Sequence, residues 1–91
     1  MSVQEDVSDF IRERTLVEMV RMKKDERLYT PEAMFSRMGL SEEGAIWLAG
    51  EIENQFGVNL MPLLRRNPLG RESYRRLKPK EIVDYIVQRV H

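Results

Sequence analysis

Phe35-Ser36-Arg37-Met38-Gly39-Leu40-Ser41-Glu42-Glu43-Gly44-Ala45-Ile46-Trp47-Leu48-Ala49-Gly50-Glu51-Ile52-Glu53-Asn54-Gln55-Phe56-Gly57-Val58 is the stretch that decides the fold. Ala45, Leu48, Ala49, Ile52 and Phe56 recur at helical spacing, with polar Glu51, Glu53 and Asn54 between them. Ser41 stands where an N-cap serine accepts a first-turn amide. Glu42 and Glu43 fall in the first turn, where negative charge meets the positive end of the helix dipole. Gly57 follows where a helix closes on a left-handed residue. The pattern predicts a helix over residues 42–56.

Upstream, Ser2-Val3-Gln4-Glu5 reads as a capping box. Val7, Phe10, Ile11, Val17 and Val20 then recur near helical spacing, with Leu16 and Met19 adjoining. They predict a helix over about 3–22, with Thr15 as the point of a break. Lys23 and Lys24 suit its C-terminal end. Residues 25–31 read as a loop, because Pro31 disfavours helix at Thr30. Pro31 to Phe35 suits a single turn, and Gly39 ends that segment.

Downstream, Asn59 and Pro62 confine the chain to a loop and one short helix, about 62–66. Asn67-Pro68-Leu69-Gly70 is punctuation. Pro79 suits the first position of a last helix, which Ile82, Val83, Ile86 and Val90 stripe to about residue 89. No run alternates apolar and polar residues, so no sheet is expected. The expectation is an all-α fold, three main helices plus one short helix with a long first loop, in a single domain spanning 1–91.

Composition narrows the chemistry. At 91 residues and 42% apolar content the chain carries one modest core. With no cysteine, disulfides, thiolate metal sites and a cysteine nucleophile are excluded. The one histidine, His91, is the last residue, so histidine acid–base chemistry and metal binding lack their usual material. No stretch approaches the roughly 20 apolar residues of a membrane span. The acidic Met1–Asp6 segment lacks an apolar h-region, so a cytoplasmic location without a signal peptide is expected. Net charge is zero but divided: residues 1–60 hold 7 basic and 12 acidic side chains, and 61–91 hold 8 basic and 3 acidic.

The order of elements, with Phe35-x-x-Met38-Gly39-Leu40, then Ile52-Glu53-x-x-Phe56-Gly57-Val58, resembles the acyl carrier protein family. Leu60 to Leu64 with Asn67-Pro68 is similar to the third-helix region of polyketide-synthase-type carriers, and Glu81 to Ile86 to the family's fourth helix. The resemblance covers about residues 5–90 and implies a four-helix acyl-carrier-like bundle. In that family a serine at the start of helix two, within an Asp-Ser-Leu motif, carries phosphopantetheine. Aligned without gaps, this chain has Ser41-Glu42-Glu43 there, with Glu42 at the serine position. A glutamate has no hydroxyl with which to form the phosphodiester. Ser41 reads either as the N-cap or as an attachment site displaced by one residue. Glu42 reads either as a plain helix-start carboxylate or as a substitute for the phosphate's charge.

The resemblance implies a non-catalytic module that docks on enzymes or synthase domains of a fatty-acid, polyketide or related pathway. No cofactor is expected unless Ser41 is modified, and no metal. The candidate docking residues are Glu42, Glu43, Ile46, Trp47, Glu53 and Met61. Trp47 sits away from Leu48 and Ile52 on the helix, as an interface anchor or as a cover over the 25–38 loop. The acids would steer a basic partner, or simply be solvated. Met19, Met22, Met34, Met38 and Met61 would fill the core or line a plastic groove. The basic stretch Arg65, Arg66, Arg71, Arg75, Arg76, Lys78 and Lys80 would pair with the acidic half, or bind phosphates of coenzyme A or nucleic acid. The last would make the chain a small helical nucleic-acid-binding domain. Tyr74 alone is a thin stacking platform for single strands. An enzyme is not expected, for want of a histidine, a cysteine or a glycine-rich phosphate loop.

Overall fold

The structure is a computed structural model and describes residues 2–65 and 73–89. Its helices are α1 (Val3–Arg21), α2 (Glu42–Phe56), α3 (Met61–Arg65) and α4 (Pro79–Arg89). Short 3-10 turns cover Glu26–Leu28, Phe35–Met38 and Tyr74–Arg76. Among the described residues there is no strand. Three main helices, one short helix and a long first loop are the architecture expected from the sequence. Helix α1 packs most extensively along α4 and also against α2, and α3 leans on α4.

Helix α1 begins as its capping box predicts, with the Glu5 amide donating to Ser2 Oγ at 3.1 Å. It runs unbroken through Thr15. The buried Thr15 hydroxyl donates to the Ile11 carbonyl at 2.6 Å and so satisfies itself inside the helix. The buried face is Val7, Ile11, Thr15, Glu18 and Met19, at spacings of four, four, three and one. Val17 and Val20, which the apolar pattern had joined to this face, lie opposite it, 52% and 54% exposed. Past Arg21 the chain closes in a left-handed turn at Lys23, φ 60°. The Lys24 and Lys23 amides donate to the Met19 and Val20 carbonyls at 2.8 and 2.9 Å, which uses two carbonyls the helix end would leave open.

Glu18 is a buried carboxylate, 1% exposed, between α1 and α2. Arg21 holds both of its oxygens, at 2.7 and 3.2 Å, which offsets the cost of removing the charge from water. Gly44 of α2 sits against it. A Cβ at Gly44 would lie 2.9 Å from Glu18 Oε1 and 3.4 Å from Met22 Sδ. The missing side chain is what lets the start of α2 approach α1.

Helix α2 has the bounds that its caps predict. The Gly44 amide donates to Ser41 Oγ at 3.1 Å, and Gly57 takes φ 64°. Before it, Gly39 is required by φ 86°, and the flexible Lys24 side-chain stem lies over the space a Cβ would take, 2.8–3.0 Å away. After it, the Glu53 carboxylate accepts the Leu60 amide at 2.8 Å, and Asn59 Oδ1 accepts the Met61 amide that opens α3. The Tyr85 hydroxyl of α4 donates to the Asn59 carbonyl at 2.7 Å and ties the same turn from the other side.

Two backbone bonds sew the first loop to the entry of α4: Phe35 N–H to the Leu77 carbonyl and Lys80 N–H to the Pro31 carbonyl, both at 3.0 Å. The second satisfies one of α4's first-turn amides, which no helical carbonyl can reach. Phe35, Met38, Leu40, Leu48, Ile52, Leu60, Ile82 and Ile86 are fully buried at the centre. Each such side chain contributes about 1.5–3 kcal/mol by leaving water. Phe10 meets Phe56 edge to face at 5.3 Å and closes the core at one side. Met19 and Met38 are fully buried and Met22 and Met61 pack on the core, so these methionines are filling. The expected apolar residue Val90, and Arg66 and Arg71 of the basic stretch, lie outside the described residues.

Candidate functional site

Helix α2 presents its buried stripe of Gly44, Ala45, Leu48, Ala49 and Ile52 to the core and turns Glu43, Ile46 and Trp47 outward. Ile46 is 48% and Trp47 41% exposed. Trp47 lies outside the cluster of buried residues that forms the centre of the core. One turn on from both, nothing lies within 4 Å of where a Gly50 side chain would begin. The result is two adjoining large apolar side chains beside an open backbone surface, with Glu43 one turn earlier.

The other candidates are committed inside the fold. The Glu42 carboxylate accepts the Ser73 hydroxyl at 2.8 Å and the Tyr74 amide at 3.4 Å. Beside it, Arg75 Nε donates to the Leu40 carbonyl at 2.8 Å. Residues 73–75 are therefore laid across the start of α2. Glu53 holds the Leu60 amide, and Met61 is half-buried against the core. Of the six candidates, Glu43, Ile46 and Trp47 share an exposed face, while Glu42, Glu53 and Met61 serve the packing around it.

Ser41 is exposed, and its Oγ accepts the Gly44 amide as an N-cap does. The carboxylate next to it is turned to Ser73. In the basic stretch, Arg75 spends a donor on Leu40, Arg76 is half-buried, and Lys78 and Lys80 are exposed. Sequence reasoning missed the link between Glu42 and Ser73, because the two lie 31 residues apart and no local pattern joins them.

Away from α2, the recesses among the described residues include two open ones of about 210 Å³ each. One is lined by Arg12, Leu16, Glu26, Arg27 and Tyr29, the other by Leu63, Glu81, Asp84, Tyr85 and Gln88. In the first, burial pushes the Tyr29 phenol above its usual range, opposed by the charge of Arg12. At its rim the Arg27 side chain bonds to the Asp25 carboxyl and holds it below the usual range. Among the described residues no three His, Cys, Asp or Glu side chains gather as metal ligands, and no helix is long and apolar enough to cross a membrane. Compared with family models, curated proteins and solved structures, the chain matches none of them.

Proposed function

We propose that this chain is an acyl-carrier-like module that carries no phosphopantetheine arm and works by docking, through α2, on an enzyme or synthase domain of a fatty-acid, polyketide or related pathway. The observation that carries the docking part is the exposed pair Ile46 and Trp47 on α2. Trp is enriched where interfaces concentrate their binding energy, and this small domain leaves 41% of its one Trp exposed instead of burying it. Glu43 beside the pair favours a basic counterpart. The missing arm follows from Glu42. It stands where the resembled family has its serine, and its carboxylate is spent on Ser73 and Tyr74. The pathway itself rests on the sequence resemblance.

A second reading keeps the carrier chemistry and moves it to Ser41, an exposed residue at the N-cap of α2 whose Oγ accepts the Gly44 amide. One experiment separates the two. The chain is incubated with coenzyme A and a broad-specificity phosphopantetheinyl transferase, beside a normal carrier as positive control, and its intact mass is measured. A gain of one phosphopantetheine that Ser41→Ala abolishes makes this a carrier with a displaced motif and overturns the armless reading. An unchanged mass beside a fully loaded control supports it. Docking is then read by titrating a carrier-binding synthase domain while following Trp47 fluorescence. An unchanged signal and no complex would count against α2 as the docking face.

A further inference from the structure

Four of the chain's five glycines lie among the described residues, and the fold accounts for three of them. Gly39 and Gly57 take left-handed φ values of 86° and 64°, and Gly44 is where α2 meets Glu18 of α1. Gly50 has no such reason. It stands in the middle of α2, its φ is not left-handed, and nothing lies within 4 Å of where its Cβ would be. A glycine there costs helix stability that an alanine would restore without a clash. The notch it leaves is bracketed by Ile46 and Trp47, four and three residues before it, and by Asn54, four after, all three exposed. The charge along this face is of one sign. Helix α2 holds Glu42, Glu43, Glu51 and Glu53 and no lysine or arginine. Glu42 and Glu53 are bonded within the fold, to Ser73 and to the Leu60 amide. Glu43 and Glu51 form no ion pair or side-chain hydrogen bond with a described residue. They stand one turn before and one turn after Trp47, which sets them about 12 Å apart along the helix.

We infer that the notch at Gly50 receives one large apolar side chain from a basic amphipathic helix of the docking partner, which lies along α2 and sets one Lys or Arg against Glu43 and another against Glu51. This deepens the docking reading of α2 and rests on it. The spacing matches. On a helix, cations placed four residues to either side of a central leucine are themselves about 12 Å apart. A side chain that packs between helices enters a hole framed by four residues of the facing helix, here Trp47, Gly50, Glu51 and Asn54. Glycine at one corner deepens that hole, and the Trp47 ring gives it an apolar wall. The two free glutamates set the register and select a basic helix over an acidic one.

The test uses the full chain and two probes. One is the carrier-binding synthase domain of the docking titration. The other is an alanine-based helical peptide free of aromatic residues, with a central Leu and a Lys four residues to either side. Gly50→Ala should raise the thermal midpoint by roughly 2–6 °C, because the helix gains a better former and nothing is crowded. A lowered midpoint would mean that the glycine serves the fold, and overturns the inference. Gly50→Leu, shown folded by circular dichroism, should weaken the binding of both probes at least about tenfold, read from Trp47 fluorescence. Peptides with Ala at the centre, or with Glu in place of Lys, should bind the parent chain more weakly than the first peptide does. A domain bound equally by the parent and by Gly50→Leu overturns the notch and leaves docking through α2 standing. Peptides that bind alike whatever their charge overturn the basic helix as occupant. If the domain fails to bind while the peptide binds and depends on Gly50, the pathway reading falls and the notch stands. A chain that takes neither probe overturns both.

Discussion

The Ser73 hydroxyl reaches across 31 residues of sequence to donate to the Glu42 carboxylate at 2.8 Å. This bond fastens residues 73–75 over the first turn of α2, where the Tyr74 amide also points at Glu42 and Arg75 holds the Leu40 carbonyl. A carboxylate acceptor makes the link stronger than a neutral hydrogen bond, and partial exposure reduces that advantage. Glu42→Ala and Ser73→Ala should each lower stability by about 1 kcal/mol, and the double variant should cost clearly less than the two together. Urea unfolding of the four proteins gives the coupling. Strict additivity would mean that Glu42 is not bonded to Ser73 in solution, and would return it to the docking surface.

Gly44 and Glu18 make a second test of close approach. A methyl group at position 44 meets Glu18 Oε1 at 2.9 Å, and that carboxylate cannot swing away without leaving the two bonds from Arg21. Gly44→Ala should therefore cost about 1–3 kcal/mol, although alanine is the better helix former. The measurement is the urea midpoint. An unchanged or raised midpoint would show that α1 and α2 are not as close at this point as the structure has them.

These two contacts show where sequence reading stops. Helix α2 was legible to the residue, because Ser41, the apolar positions 45, 48, 49 and 52, and Gly57 all act within one helix. The outward position of Trp47 followed from its angle to Leu48 and Ile52 within one helix. Helix α1 was harder. Its buried face includes Thr15 and Glu18, which hydropathy reads as surface, and its Val17 and Val20 face water. The polar pair is admitted to the interior only because the Ile11 carbonyl and the Arg21 guanidinium satisfy it. Those partners depend on the helix already being formed. Glu42 was picked out for its position, yet what holds its carboxylate arrives from residues 73 and 74.

Lys23 pays a conformational cost at the end of α1. It takes φ 60° without being glycine, in a turn whose amides close on Met19 and Val20. The left-handed region costs an L-residue with a side chain about 1–2 kcal/mol. Glycine removes that strain but gains freedom in the unfolded chain worth about 0.4–1 kcal/mol. Since Lys23 is exposed, Lys23→Gly should raise stability by roughly 0.5 kcal/mol, read as a higher thermal midpoint. A drop in the midpoint would mean that the lysine charge at the helix end outweighs its backbone strain.

Tyr29 sets an alkaline limit. Burial raises its phenol above the ordinary value near 10, so the folded chain holds this proton more tightly than the unfolded chain does. The associated stability is fully present below the unfolded value and is lost as pH rises through the folded one. Stability should fall as pH rises past the ordinary phenol value and through the raised one, and Tyr29→Phe should fall less over the same interval. Arg12→Ala, which removes the opposing charge, should move the Tyr29 titration further up. Ultraviolet titration of the phenol at each pH, beside urea unfolding, checks both. Equal losses in Tyr29→Phe and the parent chain would assign the alkaline limit to other groups.

Trp47 and Leu48 are neighbours in sequence with opposite surroundings, 41% and 0% exposed. If Trp47 is held outward for a partner, its removal should cost the fold far less than removal of its buried neighbour. Trp47→Ala should lower unfolding free energy by about 1 kcal/mol, for the part of the ring that is covered. Leu48→Ala should cost about 2–5 kcal/mol through the lost burial and the cavity left behind. Acrylamide should quench the Trp47 fluorescence of the folded chain readily, and quenching should drop when a docking partner is bound. A Trp47→Ala loss of several kcal/mol would assign the ring to the core of the folded chain. The docking face would then keep only Ile46 and Glu43, too little area to anchor a partner on α2.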